Sequence, residues 1–276
     1  MYLRHFGLVE PPFRITPDTD FAYAVEGHQE ALNTLLLALN EGEGFVKIVG
    51  EVGTGKTLLC RRLLRSLGEG WVTAYFPNPS LDADTLFLAL AEELGIKDVD
   101  GLNHYHLVRR ITLALLDLAR KKKRVVLCID EAQAMPIETL ESLRLLSNLE
   151  TEKRKLLHIV LFGQPELDEK LQRNEVRQLL QRISFHYRLG GMKKSEIGAY
   201  VAYRLRVAGH RGEALFTPRA LRGLHRASGG VPRLVNILAH KALLAVYGEG
   251  RHLAKLRHVR MARRDTEGAR RIGLIW

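Results

Sequence analysis

The sequence predicts an α/β protein: a three-layer αβα parallel sheet followed by a small all-helical domain. Two observations predict the sheet. Short apolar runs alternate with helical stretches as far as residue 192, the pattern of a parallel sheet covered on both faces. One run, Val125-Val126-Leu127-Cys128-Ile129, is apolar at every position, as a central strand buried on both sides must be. A third observation predicts the helical domain: after Gly191 no strand pattern remains and only helical spacing continues. The expected domains are therefore 1–192, the sheet-bearing core, and 193–276, a helical lid domain with a basic C-terminal tail.

The elements are taken in chain order. Residues 1–25 are rich in proline and aromatics (Phe6, Pro11, Pro12, Phe13, Pro17, Phe21, Tyr23) and predict an extended segment on a domain surface, not a helix. Ala31, Leu32, Leu35, Leu36 and Leu39 share one helical face over 26–40. A strand over 45–49 runs into a glycine-rich turn, and a helix comes next over 58–67. Strands are expected over 71–76, 125–129, 159–162 and 185–189, with helices over 84–94, 107–120 and 140–149 between them. In the second domain, helices are expected over 195–207 and 231–247. Between them Thr217 caps a helix that has Pro218 at its first position and Gly229-Gly230 beyond its end.

Composition narrows the class. A chain of 276 residues can bury one large or two modest cores. No apolar run is long enough to span a bilayer, and the N-terminus lacks the apolar centre of a signal peptide. Cys60 and Cys128 fall in elements expected to be buried, which argues against a disulfide framework and for a reducing cytoplasm. The net charge is +11; residues 251–276 hold eight Lys/Arg against Asp265 and Glu267, or +6 of it. Such a tail can meet nucleic acid, anionic lipid or an acidic partner, or be a solvated helix face. His104 and His106 flank Tyr105 with no zinc-ligand spacing nearby and read as surface residues.

The chemistry lies in two motifs. Gly50-Glu51-Val52-Gly53-Thr54-Gly55-Lys56-Thr57 matches G-x-x-x-x-G-K-[ST], preceded by an apolar strand and followed by a helix that begins near Leu58. Glycines let the backbone curl so that successive N–H groups face one phosphate, and the helix adds its positive end. Lys56 can reach the β- and γ-phosphates, and the Thr57 hydroxyl can bind Mg²⁺. The second motif is Asp130-Glu131, at the end of the apolar strand, where ligands bind in open α/β sheets. Asp130 suits the magnesium shell and Glu131 the polarisation of an attacking water; a helix N-cap at Asp130 is the structural alternative. The cofactors expected are ATP and Mg²⁺.

These motifs, with the trailing helical domain, resemble a P-loop NTPase of the AAA+ class. The stretches "FGLVEPPFRITPD", "GEVGTGKT" and "LESLRLLSNLETEKRKLLHIVLFGQPEL" resemble the ExeA/GspA family of general secretion ATPases, and within it the MshM-type proteins of mannose-sensitive haemagglutinin (type IV) pilus biogenesis. The resemblance runs over nearly the whole chain. It implies a glutamine sensor at Gln164, where Pro165 also allows a plain turn residue. It implies arginines that reach a neighbouring subunit's nucleotide, Arg182 first and Arg177 second, against ordinary exposed arginines. It implies a second sensor at Arg233 in Gly229-Gly230-Val231-Pro232-Arg233, and an N-terminal segment lining the adenine pocket with no residue assigned. By the same resemblance Asn78 could orient Glu131 from the neighbouring strand end, or be a plain turn residue before Pro79. Longer members resemble a fusion with a transmembrane helix and a peptidoglycan-binding module; this chain stops soon after the helical domain, so direct peptidoglycan binding is not expected.

The resulting expectation is an ATP-hydrolysing assembly factor for a type IV pilus or secretion-type envelope machine. It acts as a homo-oligomer, ring or dimer, in the cytoplasm or at the periphery of the inner membrane, beside an inner-membrane pilus or secretion component. The alternative is a DNA-binding ATPase regulator of the transposition type, which rests on charge alone; nucleic-acid contact from the tail is expected to be weak and non-specific. A nucleotide-binding module without hydrolysis is disfavoured by the intact Lys56, Thr57, Asp130 and Glu131.

Overall fold

A computed structural model describes residues 2–14, 23, 25–99, 101–151 and 154–270. The chain divides into two compact units: one comprises Glu30–Glu51 and Leu59–Leu189, the other Met1–Gln29, Val52–Leu58 and Gly190–Trp276.

The first unit is built on five parallel strands: β1 (Phe45–Gly50), β2 (Trp71–Phe76), β3 (Arg124–Ile129), β4 (His158–Gly163) and β5 (Phe185–Leu189), in the order β2-β3-β4-β1-β5. β1, β4 and the last five residues of β3 are buried throughout. Side chains alternate across a strand, so each central strand feeds two cores. Phe45, Val49, Leu127, Ile129, Ile159 and Leu161 point to one face, with Leu86, Leu90, Ile111, Leu140 and Leu143 from the helices. Val46, Ile48, Val126, Cys128, Val160 and Phe162 point to the other, with Leu35, Leu39, Leu59 and Leu63.

The covering helices are α1 (Glu26–Glu41), α2 (Lys56–Ser66), α3 (Ala83–Glu93), α4 (His104–Arg120), α5 (Ile137–Leu146) and α6 (Glu166–Leu171). Asp82 caps α3 by accepting from Thr85 N–H at 2.8 Å, and Asn103 caps α4 by accepting from His106 N–H at 3.0 Å. His104 thus lies inside a helix, exposed, with Nδ1 2.9 Å from Asp84. Among the described residues no group of three or more His, Cys, Asp or Glu is arranged to hold a metal ion.

In the second unit α7 (Glu196–Val207), α8 (Pro218–Ser228), α9 (Pro232–Gly248) and α10 (Leu256–Arg264) share one core. Thr217 caps α8, accepting from Ala220 N–H at 3.2 Å, with Pro218 at the first position. Gly229 and Gly230, at φ +61° and +79°, turn the chain into α9.

One expectation is corrected by the structure. The N-terminal stretch is not an extended surface segment: Tyr2–His5 is a short helix, and Phe6, Leu8 and Phe13 are buried among the helices of the second unit. Buried Arg204 fixes it there by donating through Nε to the Pro12 carbonyl at 2.6 Å, while Tyr200 joins Arg204 to Asn236. Aromatic residues in a proline-rich stretch are anchors, and periodicity does not report what they anchor to. Pro17 and Phe21 lie outside the described residues. Within the basic tail, α10 buries His258, Val259 and Ala262, and Glu249 pairs with Arg251 and Arg257.

No helix among the described residues is long and apolar enough to cross a membrane.

Candidate functional site

β1 delivers the chain to the glycine-rich loop at buried Gly50. The loop then turns twice through positive φ, at Gly53 (+79°) and Gly55 (+99°), conformations that cost residues with a Cβ about 1–2 kcal/mol. Space is also short: a Cβ on Gly53 would lie 2.5 Å from Arg233 Cβ, and one on Gly55 2.6 Å from His28 Nε2. α2 starts at Lys56, so Lys56, Thr57 and Leu58 form its first turn, where N–H groups lack intrahelical acceptors. Thr54 and Lys56 are buried, whereas Glu51 and Val52 are exposed. A curled loop of N–H groups, a helix start and a buried lysine suit a polyphosphate.

Asp130 and Glu131 follow β3, and Gln164 follows β4, its neighbour in the sheet. All three therefore occupy the sheet edge at which β1 ends, the edge where open α/β sheets bind ligands. Asp130 is 2% exposed, and its Oδ1 accepts from Glu131 N–H at 3.0 Å. Glu131 itself adopts the left-handed conformation, φ +52° and ψ +37°, ahead of a 3₁₀ turn (Ala132–Ala134); for a non-glycine residue this is stored strain of about 1–2 kcal/mol. Its side chain caps nothing there. Instead Glu131 Oε2 accepts from Gln133 Nε2 at 2.6 Å and from Gln164 Nε2 at 3.0 Å.

Tyr75 is pushed up to about 12 by burial and by the Asp130 charge. The Cys60 thiol is raised by its hydrogen bond with Cys128 and by burial; both cysteines are free and buried, hence unreactive packing groups. Oxygen donors from Thr57 and Asp130 are of the hard type that Mg²⁺ prefers.

The remaining candidates are distributed as follows. Arg233 opens α9, is exposed, and its N–H donates to the Gly53 carbonyl at 3.2 Å, so within the helical unit it covers the loop. Arg182 is half-buried, and its Nη1 donates to Ser147 Oγ at 3.3 Å. Arg177 is exposed and begins the short helix Arg177–Leu180. Both arginines line a concave patch with Asn174, Gln178 and Gln181. Asn78 is exposed; the carboxylate it was expected to orient is bound instead by Gln133 and Gln164.

Residues 39–171 match the family described as AAA domain. The chain is also similar in structure to Cdc6p from Pyrobaculum aerophilum (TM-score 0.68, 17% identity, 90% of this chain and 70% of that one). This is the fold of the AAA+ P-loop ATPases. Two further AAA+ likenesses are the Aeropyrum pernix ORC2 protein in its ADPNP–ADP complexes (TM-score 0.64, 17% identity, 93% and 73% covered) and the Thermotoga maritima RuvB Holliday junction branch migration motor (TM-score 0.56, 16% identity, 87% and 68% covered). In sequence the chain is 44% identical over 273 residues to General secretion pathway protein A of Aeromonas hydrophila, across 98% of this chain and 49% of that protein. The chain thus spans about half the length of that relative.

Sequence reasoning missed Gln133 and Lys170. Lys170 donates to the carbonyls of Gln133 (2.6 Å) and Met135 (2.7 Å), fixing the 3₁₀ turn to α6. Burial lowers its affinity for the proton, with a smaller contribution from Arg173. Gln133 stands two residues after Glu131, a signal visible in the sequence only to a reader who already knows the chain turns there.

Proposed function

We propose that this AAA+ chain binds ATP with Mg²⁺ and hydrolyses it, as an oligomeric assembly ATPase of a general secretion or type IV pilus machine. The observation that carries the hydrolytic part is the meeting of Glu131 and Gln164 at the ends of adjacent parallel strands, 3.0 Å apart. A carboxylate held by amides at this edge is a base positioned for a water molecule. In this reading Gly50, Glu51, Val52, Gly53, Thr54, Gly55, Lys56, Thr57 and Leu58 hold the phosphates. Thr57 and Asp130 would hold Mg²⁺, which supplies charge neutralisation for the phosphates. Gln164 orients water and γ-phosphate, Arg233 adds charge from residues 193–276 acting as a lid, and Arg182, with Arg177 behind it, serves a neighbouring subunit's site.

The similarity to General secretion pathway protein A supports the envelope assignment; a pilin and secretin gene neighbourhood would support the pilus form, and an adjacent transposase gene would favour the DNA-regulator alternative. The hydrolytic reading is tested with two variants. Lys56→Ala keeps its circular dichroism spectrum and loses tight ATP binding. Glu131→Gln binds Mg-ATP as the parent does and turns it over at least about 100-fold more slowly. Parental ATP affinity in the first variant, or parental turnover in the second, overturns the assignment concerned.

A further inference from the structure

Gln133 belongs to no motif, yet it touches both ends of the hydrolytic pair. Its Nε2 donates to Glu131 Oε2 at 2.6 Å, and its Oε1 accepts the backbone N–H of Gln164 at 3.0 Å. Gln164 closes the ring by donating its own side-chain amide to the same Glu131 oxygen at 3.0 Å. Glu131, Gln133 and Gln164 are each half-buried, so the ring lies at the rim of the sheet and not in its core.

The ring is braced from below. Lys170 ties the Gln133 carbonyl to α6 at 2.6 Å. α6 in turn packs so closely under β4 that a Cβ on Gly163 would fall 2.6 Å from Leu167 Cδ2. The Gln133 backbone is therefore fixed, and its side chain spans from one strand end to the next.

We infer that Gln133 is a positioning residue, which sets the direction of the Glu131 carboxylate and couples it to Gln164. The inference rests on the reading of Glu131 as the base. A side-chain amide meets both demands of this position. A glutamine donates to a carboxylate and accepts from a backbone N–H at once; a carboxylate cannot do the first, nor an ammonium the second. Its action passes through Glu131 and Gln164, so it affects turnover and not nucleotide affinity.

Gln133→Met keeps the volume and removes both hydrogen bonds. Turnover of Mg-ATP should fall about 10- to 100-fold, the scale of a misplaced catalytic group, with the dissociation constant changed by no more than about twofold. Gln133→Glu keeps the acceptor for Gln164 and sets a like charge against Glu131; it should lose at least as much. In the Glu131→Gln background, single-turnover measurements should show a much smaller further loss from Gln133→Met, because the part of its action that passes through Glu131 is already gone and only the hold on Gln164 remains. A merely structural role would instead reduce both backgrounds by the same factor. Parental turnover in both Gln133 variants, or equal losses in the two backgrounds, overturns the inference while a slow Glu131→Gln leaves the reading of the base standing. A Glu131→Gln variant that turns over like the parent removes the base, and the inference with it.

Discussion

Gly230→Ala should destabilise the helical unit far more than Gly229→Ala, although the two glycines adjoin and both have positive φ, +79° and +61°. The backbone term is common to them, about 1–2 kcal/mol for a Cβ in the left-handed region. What the new methyl meets is different. At Gly229 the nearest atoms belong to the Arg270 guanidinium, 2.8 Å away at Cζ, on a long side chain that can swing aside. At Gly230 they are the Met192 carbonyl oxygen at 2.2 Å and its nitrogen at 2.9 Å. Backbone cannot rotate away, and the same two residues share a hydrogen bond, Met192 N–H to the Gly230 carbonyl at 2.8 Å. Separating them forfeits about 0.5–1.5 kcal/mol for the bond and adds about 1–3 kcal/mol of overpacking strain. The expected costs are about 1–2 kcal/mol for Gly229→Ala and about 3–6 kcal/mol for Gly230→Ala. Urea denaturation followed by far-ultraviolet circular dichroism measures both. Equal midpoints for the two variants, or a less stable Gly229→Ala, would refute the reasoning.

Three further outcomes are expected. If Arg182 acts across a subunit interface, parent turnover per subunit rises with protein concentration, Arg182→Ala keeps ATP binding and loses most of the rise, and mixing it with Lys56→Ala restores part of the activity; a parent rate that stays constant through a verified monomer-to-oligomer transition leaves Arg182 an ordinary arginine. Asp168 holds buried Lys47 at 2.5 Å and Arg188 at 3.1 Å, so Asp168→Ala strands a buried ammonium on β1 and should cost about 3–5 kcal/mol, much of it recovered in the Lys47→Met, Asp168→Ala double variant; an unrecovered double variant would assign the loss to packing. Mixed-sequence duplex DNA should bind weakly, without sequence preference, and ever less as salt rises; tight binding to one sequence at physiological salt would favour the transposition reading.

Much of the candidate site was legible in residue order. The glycine-rich loop announces itself because its glycines, lysine and threonine are consecutive, and both glycines with positive φ in the loop belong to the motif. Asp130-Glu131 was legible because a wholly apolar strand ended there, and the trailing Gly229-Gly230-Val231-Pro232-Arg233 because turn glycines and a helix-starting proline are local signals. Contacts between distant stretches were not legible. The strand order that makes β3 and β4 neighbours, and so brings Gln164 to Glu131 across 33 positions, is not encoded in any local pattern. Helix α6 was too short to show periodicity, and α10 was hidden among charges.

The sequence by itself determined the strand and helix alternation, the phosphate loop and the acidic strand end, because each arises from neighbours in the chain: apolar period, positive-φ glycine, capping side chain. Only the tertiary structure decided that the N-terminal aromatics join the helical unit's core and that Gln133, not Asn78, holds the Glu131 carboxylate. Those choices are made by burial and by hydrogen bonds between segments, whose partners are fixed when the elements pack and not before.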